Sequence, residues 1–185
     1  MTIIPQNVVD IFAEIFARVN TKLISQLKAY DTNIQAIRYD FGTVEEINQR
    51  LIAFGNGTEE AKKYPLCWLV CNFAETDNGV IGTDKELSIN IILAKFTMPE
   101  YSTAERYEVS FNPILTPIYV ELMKQIALHT AFTDAQRPKH TKTNEAYWGR
   151  DGVLGAKGQN ILVDYIDAIL ITNLQLTLKT KKCQT

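Results

Sequence analysis

Apolar residues recur with a helical spacing near the start of the chain. Between residues 7 and 29 they occupy every third or fourth position: Val8, Ile11, Phe12, Ile15, Phe16, Val19, Leu23 and Leu27. This stripe predicts an amphipathic helix that buries one face, and Pro5 stands just before its start. A shorter helix is predicted after Thr43, because Glu46 follows three residues later, as in a capping box.

Strands are predicted where the apolar period changes to two. Residues 34 to 41 alternate as a half-exposed strand, whereas Leu66 to Phe73 is apolar on both faces, as in a central strand. The turn signal Asn78-Gly79 leads to renewed alternation from Glu86 to Phe96, which predicts a long hairpin. The last strand is predicted from Tyr165 to Lys179. We expect it to share one antiparallel sheet with the hairpin.

A further helix is predicted to open at two prolines, Pro113 and Pro117. Its apolar stripe runs from Leu115 to Ile126. Val120 and Leu128 are also apolar but fall on the opposite side, where a surface helix would be polar. We infer a second covering partner for this helix, either the N-terminal helix or a neighbouring subunit.

Residues 133–160 show no sustained period and contain five glycine or proline breakers. The sequence predicts one long loop there, with a functional or assembly role. Tyr147 and Trp148 are large aromatic residues in this otherwise polar segment; they indicate either an interface anchor or packing back onto the parent domain. Together the elements predict a single α+β domain over residues 1–185, with an antiparallel sheet flanked by helices.

Composition and charge exclude several classes of function. The net charge of −2 and the pI near 5.7 argue against a protein that grips nucleic acid, because that task requires a basic face. The first residues lack a basic leader region, and no apolar run approaches the roughly 20 residues that span a bilayer. Three cysteines are an odd count, which favours reduced thiols in a protein made in a cytoplasm.

Candidate reactive residues are few. His129 falls on an apolar helical stripe, which predicts a partly buried imidazole and not a metal ligand. His140 lies in a basic segment, residues 137–142, that is either a solvated loop or a contact to an acidic partner or DNA. Asp164 and Asp167 would point to opposite faces of a strand and are predicted to be solvated at its edge. No catalytic, metal-binding or cofactor-binding site is predicted, so an enzyme is the least favoured class.

Four stretches in order resemble a known family. They are K-Y-P-L-C-W-L at 63–69, I-N-I-I-L-A-K-F-T at 89–97, A-E-R-Y followed by F-N-P-I-L-T-P-I-Y between 104 and 119, and D-Y-I-D-A-I-L-I-T-N-L-Q-L at 164–176. With the N-terminal amphipathic helix, this arrangement resembles the tail completion or tail terminator proteins, which join head and tail in bacteriophages with long non-contractile tails.

The resemblance implies a structural virion protein at the head–tail joint, made in the host bacterial cytoplasm. It implies a ring, commonly a hexamer, with the tail tube protein on one face and the head-closure or connector protein on the other. DNA would pass through the channel without specific binding, and no membrane is involved. The residues expected at the subunit interface are Val120, Lys124, Leu128, Tyr147, Trp148 and Arg150.

Two other functions stay open at this point. One is a cap or terminator subunit of a contractile injection system or contractile tail. The other is an unrelated cytoplasmic α+β binding module.

Overall fold

Six strands and three helical stretches make up the part of the chain that a computed structural model describes, residues 7–53, 63–77, 84–133, 138–146, 148 and 165–179. The helical stretches are α1 (Val8–Tyr30), α2 (Val44–Ala53), and a continuous run of α3 (Thr103–Arg106), a π-helical segment (Tyr107–Leu115) and α4 (Thr116–Leu128). The strands are β1 (Arg38–Gly42), β2 (Leu66–Thr76), β3 (Lys85–Phe96), β4 (Phe132–Thr133), β5 (Thr141–Glu145) and β6 (Ile166–Leu178).

One sheet contains all six strands, in the order β1-β2-β3-β6-β4, with β5 also paired to β6. The antiparallel pairing of β2 with β3 and of β3 with β6 is confirmed: Leu93 lies between Cys67 and Ile169. The α+β class is also confirmed. The expectation of a purely antiparallel sheet is wrong at one edge, because β1 runs parallel to β2. Helix α2 connects these two strands, as a parallel pair requires, and alternation alone does not encode strand direction.

Helices cover both faces of this sheet. Leu93 and Leu69 point toward α1 and α4 and belong to the larger apolar cluster, whereas Ile92 and Trp68 point toward α2 and belong to a smaller one. Neighbouring residues of β2 and β3 therefore enter different clusters, which explains why these strands are apolar on both faces.

The helix expected to open at Pro113 begins ten residues earlier. Ser102 caps α3 through a capping box with Glu105, and the helix then runs without a break to Leu128. Pro113 lies inside the π-helical segment, where the Thr116 amide donates to the Phe111 carbonyl five residues back. The prediction that Pro113 opens the helix is therefore wrong, while Pro117 does lie in the first turn of α4.

The prediction of a continuous loop over residues 133–160 is wrong in its first half. Residues 141–145 form β5, which pairs antiparallel with β6, and the Gln175 amide donates to the Lys139 carbonyl over 2.9 Å. The sequence of β5, T-K-T-N-E, has no apolar alternation and so gave no strand signal. Backbone pairing with β6 holds this strand in place. The remainder of the predicted loop, apart from residues 133, 138–146 and 148, lies outside the described residues.

Candidate assembly surface

Three of the expected interface residues share the outward face of α4. Val120 and Leu128 are 57% and 62% exposed, and the Lys124 side chain between them is equally open to solvent. Spaced four residues apart, they lie one above the other, and we call them the α4 ridge. The opposite face of the helix is buried through Ile118, Leu122 and Ile126. Helix α4 is therefore apolar on two sides in the folded protein: one side is buried in the core, and the other is exposed to solvent.

Helix α1 packs against α4 but leaves the ridge open. The two elements meet where the Phe12 ring contacts Phe132 just past the end of α4, and where Glu14 lies 3.4 Å from His129 Nε2. Of the two covering partners expected from the sequence, the described part of the N-terminal helix is therefore not the one that covers Val120 and Leu128.

Trp148 is not brought to the ridge. Its ring lies edge-on to Trp68, with centroids 6.2 Å apart, and it packs against the apolar cluster beneath α2. Trp68 is itself fixed, because its indole nitrogen donates to the Gly42 carbonyl over 3.1 Å. For Trp148 the structure thus shows packing onto the parent domain. The other two expected interface residues, Tyr147 and Arg150, lie outside the described residues.

A cavity of about 670 Å³ opens near the start of the long helix. Its lining residues come from four separate parts of the chain: Tyr30, Asp31, Thr32, Asn33, Ile34, Tyr64, Lys95, Phe96, Thr97, Met98, Tyr101, Val109 and Ser110. Lys95 Nζ pairs with Asp31 Oδ2 over 3.2 Å in its wall, and the Tyr30 hydroxyl donates to the Glu108 carbonyl over 2.8 Å. Sequence reasoning missed this cavity because no local pattern connects its four segments.

Arg106 organises the turn that forms one side of the cavity. Its guanidinium donates to the Met98 carbonyl over 2.6 Å, to the Tyr101 carbonyl over 3.0 Å and to the Thr97 hydroxyl over 3.0 Å. It also donates to Asp167 Oδ1 over 2.8 Å. The expectation of a solvated Asp167 at the strand edge is wrong, because the carboxylate is fully buried in this ion pair. Asp164 lies outside the described residues.

The two histidines have structural contacts. His129 is 4% exposed beside Phe132 and Glu14, so the imidazole expected to be partly buried is more deeply buried than predicted. His140 is half-buried and not fully solvated: its Nε2 lies 2.8 Å from the Tyr119 hydroxyl and its Nδ1 lies 2.8 Å from the Pro138 carbonyl. Burial raises the pKa of the Tyr119 phenol. These contacts fasten the segment before β5 to α4.

Burial disfavours the reactive thiolate form of both described cysteines. Burial raises the pKa of the Cys67 thiol far above its ordinary value, which disfavours the reactive thiolate, and burial also raises the pKa of Cys71. In the ranges given above, histidine, cysteine and acidic side chains form no group of three that could hold a metal ion. None of the described helices is long and apolar enough to span a bilayer.

No protein-family model matches the chain, and no curated protein sequence matches it.

Proposed function

We propose that this chain is a tail completion or tail terminator subunit that forms a ring at the head–tail joint of a tailed bacteriophage. The observation that carries the proposal is the α4 ridge, where Val120 and Leu128 are both more than half exposed on a helix whose other face is fully packed. Isolated exposed apolar residues are ordinary, but two of them aligned on one helix face form a surface that a partner can bury.

A ring requires each subunit to present two different patches to its neighbours, because a head-to-tail contact is not self-complementary. The ridge supplies one such patch. The cavity beside Tyr101 lies at the other end of the same helical run and is available as a second. In this account the work of the protein is surface complementarity: one face of the ring covers the finished tail tube and the other binds the head connector.

The charge of the chain suits a channel through which DNA must move. A net charge of −2 provides no strong attraction for phosphates, so the channel would not retain the passing duplex. We therefore expect weak binding of duplex DNA that disappears at moderate salt. Tight, sequence-specific DNA binding by the purified protein would contradict the proposal.

The ring itself is tested by mass photometry and negative-stain microscopy of the purified protein. We expect closed rings, commonly of six copies, for the wild type and dispersed protomers for Val120→Asp. Ile52→Asp is the matched control, since Ile52 is 54% exposed on α2, away from the ridge. Wild-type protomers that never associate would contradict the ring. If rings form with Val120→Asp but not with Ile52→Asp, the subunit interface does not include the α4 ridge.

A further inference from the structure

The cavity near the start of the long helix has the walls of a site for apolar side chains. Tyr30, Tyr64, Phe96 and Tyr101 supply aromatic surface, and Met98, which is 42% exposed, adds a thioether. Tyr64 and Phe96 stand with ring centroids 6.4 Å apart, so they form a continuous wall. A cavity whose walls combine four aromatic rings with polar side chains can receive an aliphatic side chain delivered on a protein surface.

Two exposed acidic residues are neighbours in sequence of residues that line this cavity. Glu100 lies in the turn between Met98 and Tyr101, Glu108 directly precedes Val109, and both are exposed. The nearby cation Lys95 is already paired with Asp31 in the wall. Another, Lys63, is buried. An incoming surface that carries a single lysine between two apolar residues would thus meet complementary charge.

The α4 ridge has this composition. Its two aliphatic residues, Val120 and Leu128, flank Lys124, whose Nζ lies 3.7 Å from Glu121 Oε2 on the same helix. The Lys124 side chain is 62% exposed, so solvent screens this pair, while Glu121 is 13% exposed and also accepts from Gln125 Nε2 over 2.6 Å. The lysine is therefore available to a carboxylate on a second surface.

The ridge and the cavity cannot meet within one copy of the chain. Ser110 lines the cavity and Lys124 is the centre of the ridge, and both lie on one continuous helical run. At about 1.5 Å per residue, they are about 20 Å apart along the helix. One chain therefore offers a projecting patch at one end of the helix and a receiving patch at the other, which is the requirement for head-to-tail contact.

We propose that the α4 ridge of one copy seats in the aromatic cavity of the next copy. Val120 and Leu128 contact the aromatic side chains, and Lys124 faces Glu100 and Glu108, which adjoin lining residues in the chain. This assignment rests on the proposed ring and specifies which two surfaces close it. Because the patches differ, the contact repeats in one direction around the ring.

A charge exchange tests the polar part of the contact. Lys124→Glu should raise the concentration needed for assembly by up to about fivefold, as expected for the loss of an ion pair worth up to about 1 kcal/mol. Adding Glu108→Lys to the same chain should restore assembly. Lys22→Glu makes the same charge change on the exposed face of α1 and should leave assembly unchanged. No recovery in the double variant, or an equal loss with Lys22→Glu, would overturn the pairing.

Directional cross-linking tests the apolar part. Leu128→Cys and Met98→Cys are placed in one chain whose Cys71 and Cys183 have been replaced by serine. Mild oxidation should yield a ladder of covalent oligomers from the double variant, and no species beyond a dimer from either single variant. Rings without a ladder would overturn this inference and leave the proposed function standing, whereas a protein that forms no rings at all would overturn both.

Discussion

The guanidinium of Arg106 donates to the carboxylate of Asp167 over 2.8 Å, and both side chains are fully buried. Arg106 ends α3 and Asp167 stands near the start of β6, so the pair fastens the long helix to the sheet. The same guanidinium also binds the turn from Thr97 to Tyr101. Removal of one member of such a pair leaves the other charge buried, which costs more than the intact pair contributes.

Replacement of this arginine should therefore be strongly destabilising. Arg106→Met is expected to lower the free energy of unfolding by about 3–5 kcal/mol, because Asp167 would stay buried without its cation. Urea unfolding at neutral pH measures the change. Arg18→Met is the control: Arg18 and Glu14 form a half-exposed pair, worth less than about 1 kcal/mol. Equal effects of the two substitutions would show that burial of Arg106 does not matter.

An aspartate should have opposite consequences in β3 and on the ridge. Leu93 is fully buried between β2 and β6, so Leu93→Asp should place an unpaired charge in the core and cost several kcal/mol, roughly 3 or more. Val120→Asp should change the melting temperature of the protomer little and abolish assembly. A Leu93→Asp variant that melts like wild type would mean that the register of β3 is wrong.

Gly42 joins β1 to the cap of α2 and is expected to resist substitution. Its φ is 147°, and a Cβ there would lie 2.9 Å from Glu46 Oε2. Gly42→Ala should destabilise the fold by about 1–3 kcal/mol, through backbone strain and displacement of that carboxylate. Thermal melting is the measurement, with Thr141→Ala in the exposed part of β5 as the control. A variant as stable as the wild type would contradict the strain.

Glu46 should make stability depend on acid pH. The Thr43 amide and then its hydroxyl donate to this carboxylate and hold its pKa below the ordinary 4.5. Because the folded-state pKa is depressed, the contribution is fully present above pH 4.5 and is lost as the pH falls through the lowered pKa. Urea midpoints measured over that range should fall less steeply for Glu46→Gln than for wild type. An unchanged slope would contradict the capping contribution.

The elements with regular periods could be predicted from the sequence. The stripe of α1 and the alternation around Leu93 follow from burial of one helix face and of both strand faces, which are local patterns. The capping box at Thr43 was predictable for the same reason, and the Thr43 amide does bind the Glu46 carboxylate at 2.8 Å. The α4 ridge was predictable because Val120 and Leu128 fall opposite the buried stripe.

The non-local features could not be predicted. Arg106 directly follows the capping box of α3, and nothing in its local sequence distinguishes it from an exposed helix residue. Asp167, the acid that makes its burial possible, lies 61 residues further along the chain. Strand β5 is polar and exists because the edge of β6 pairs with its backbone. The cavity depends on how the end of α1, Tyr64, the end of β3 and the π-helical segment come together, and pairings between distant segments leave no period in the sequence.

The most direct test of a role at the head–tail joint is electron microscopy of lysates from a phage that lacks this gene. We predict filled heads and separate tails that fail to join, or tails of uncontrolled length, with infectivity restored by the wild-type chain but not by Val120→Asp. Complementation by Ile52→Asp, which leaves the ridge intact, is the control. Normal infectious particles from the deletion would contradict the account.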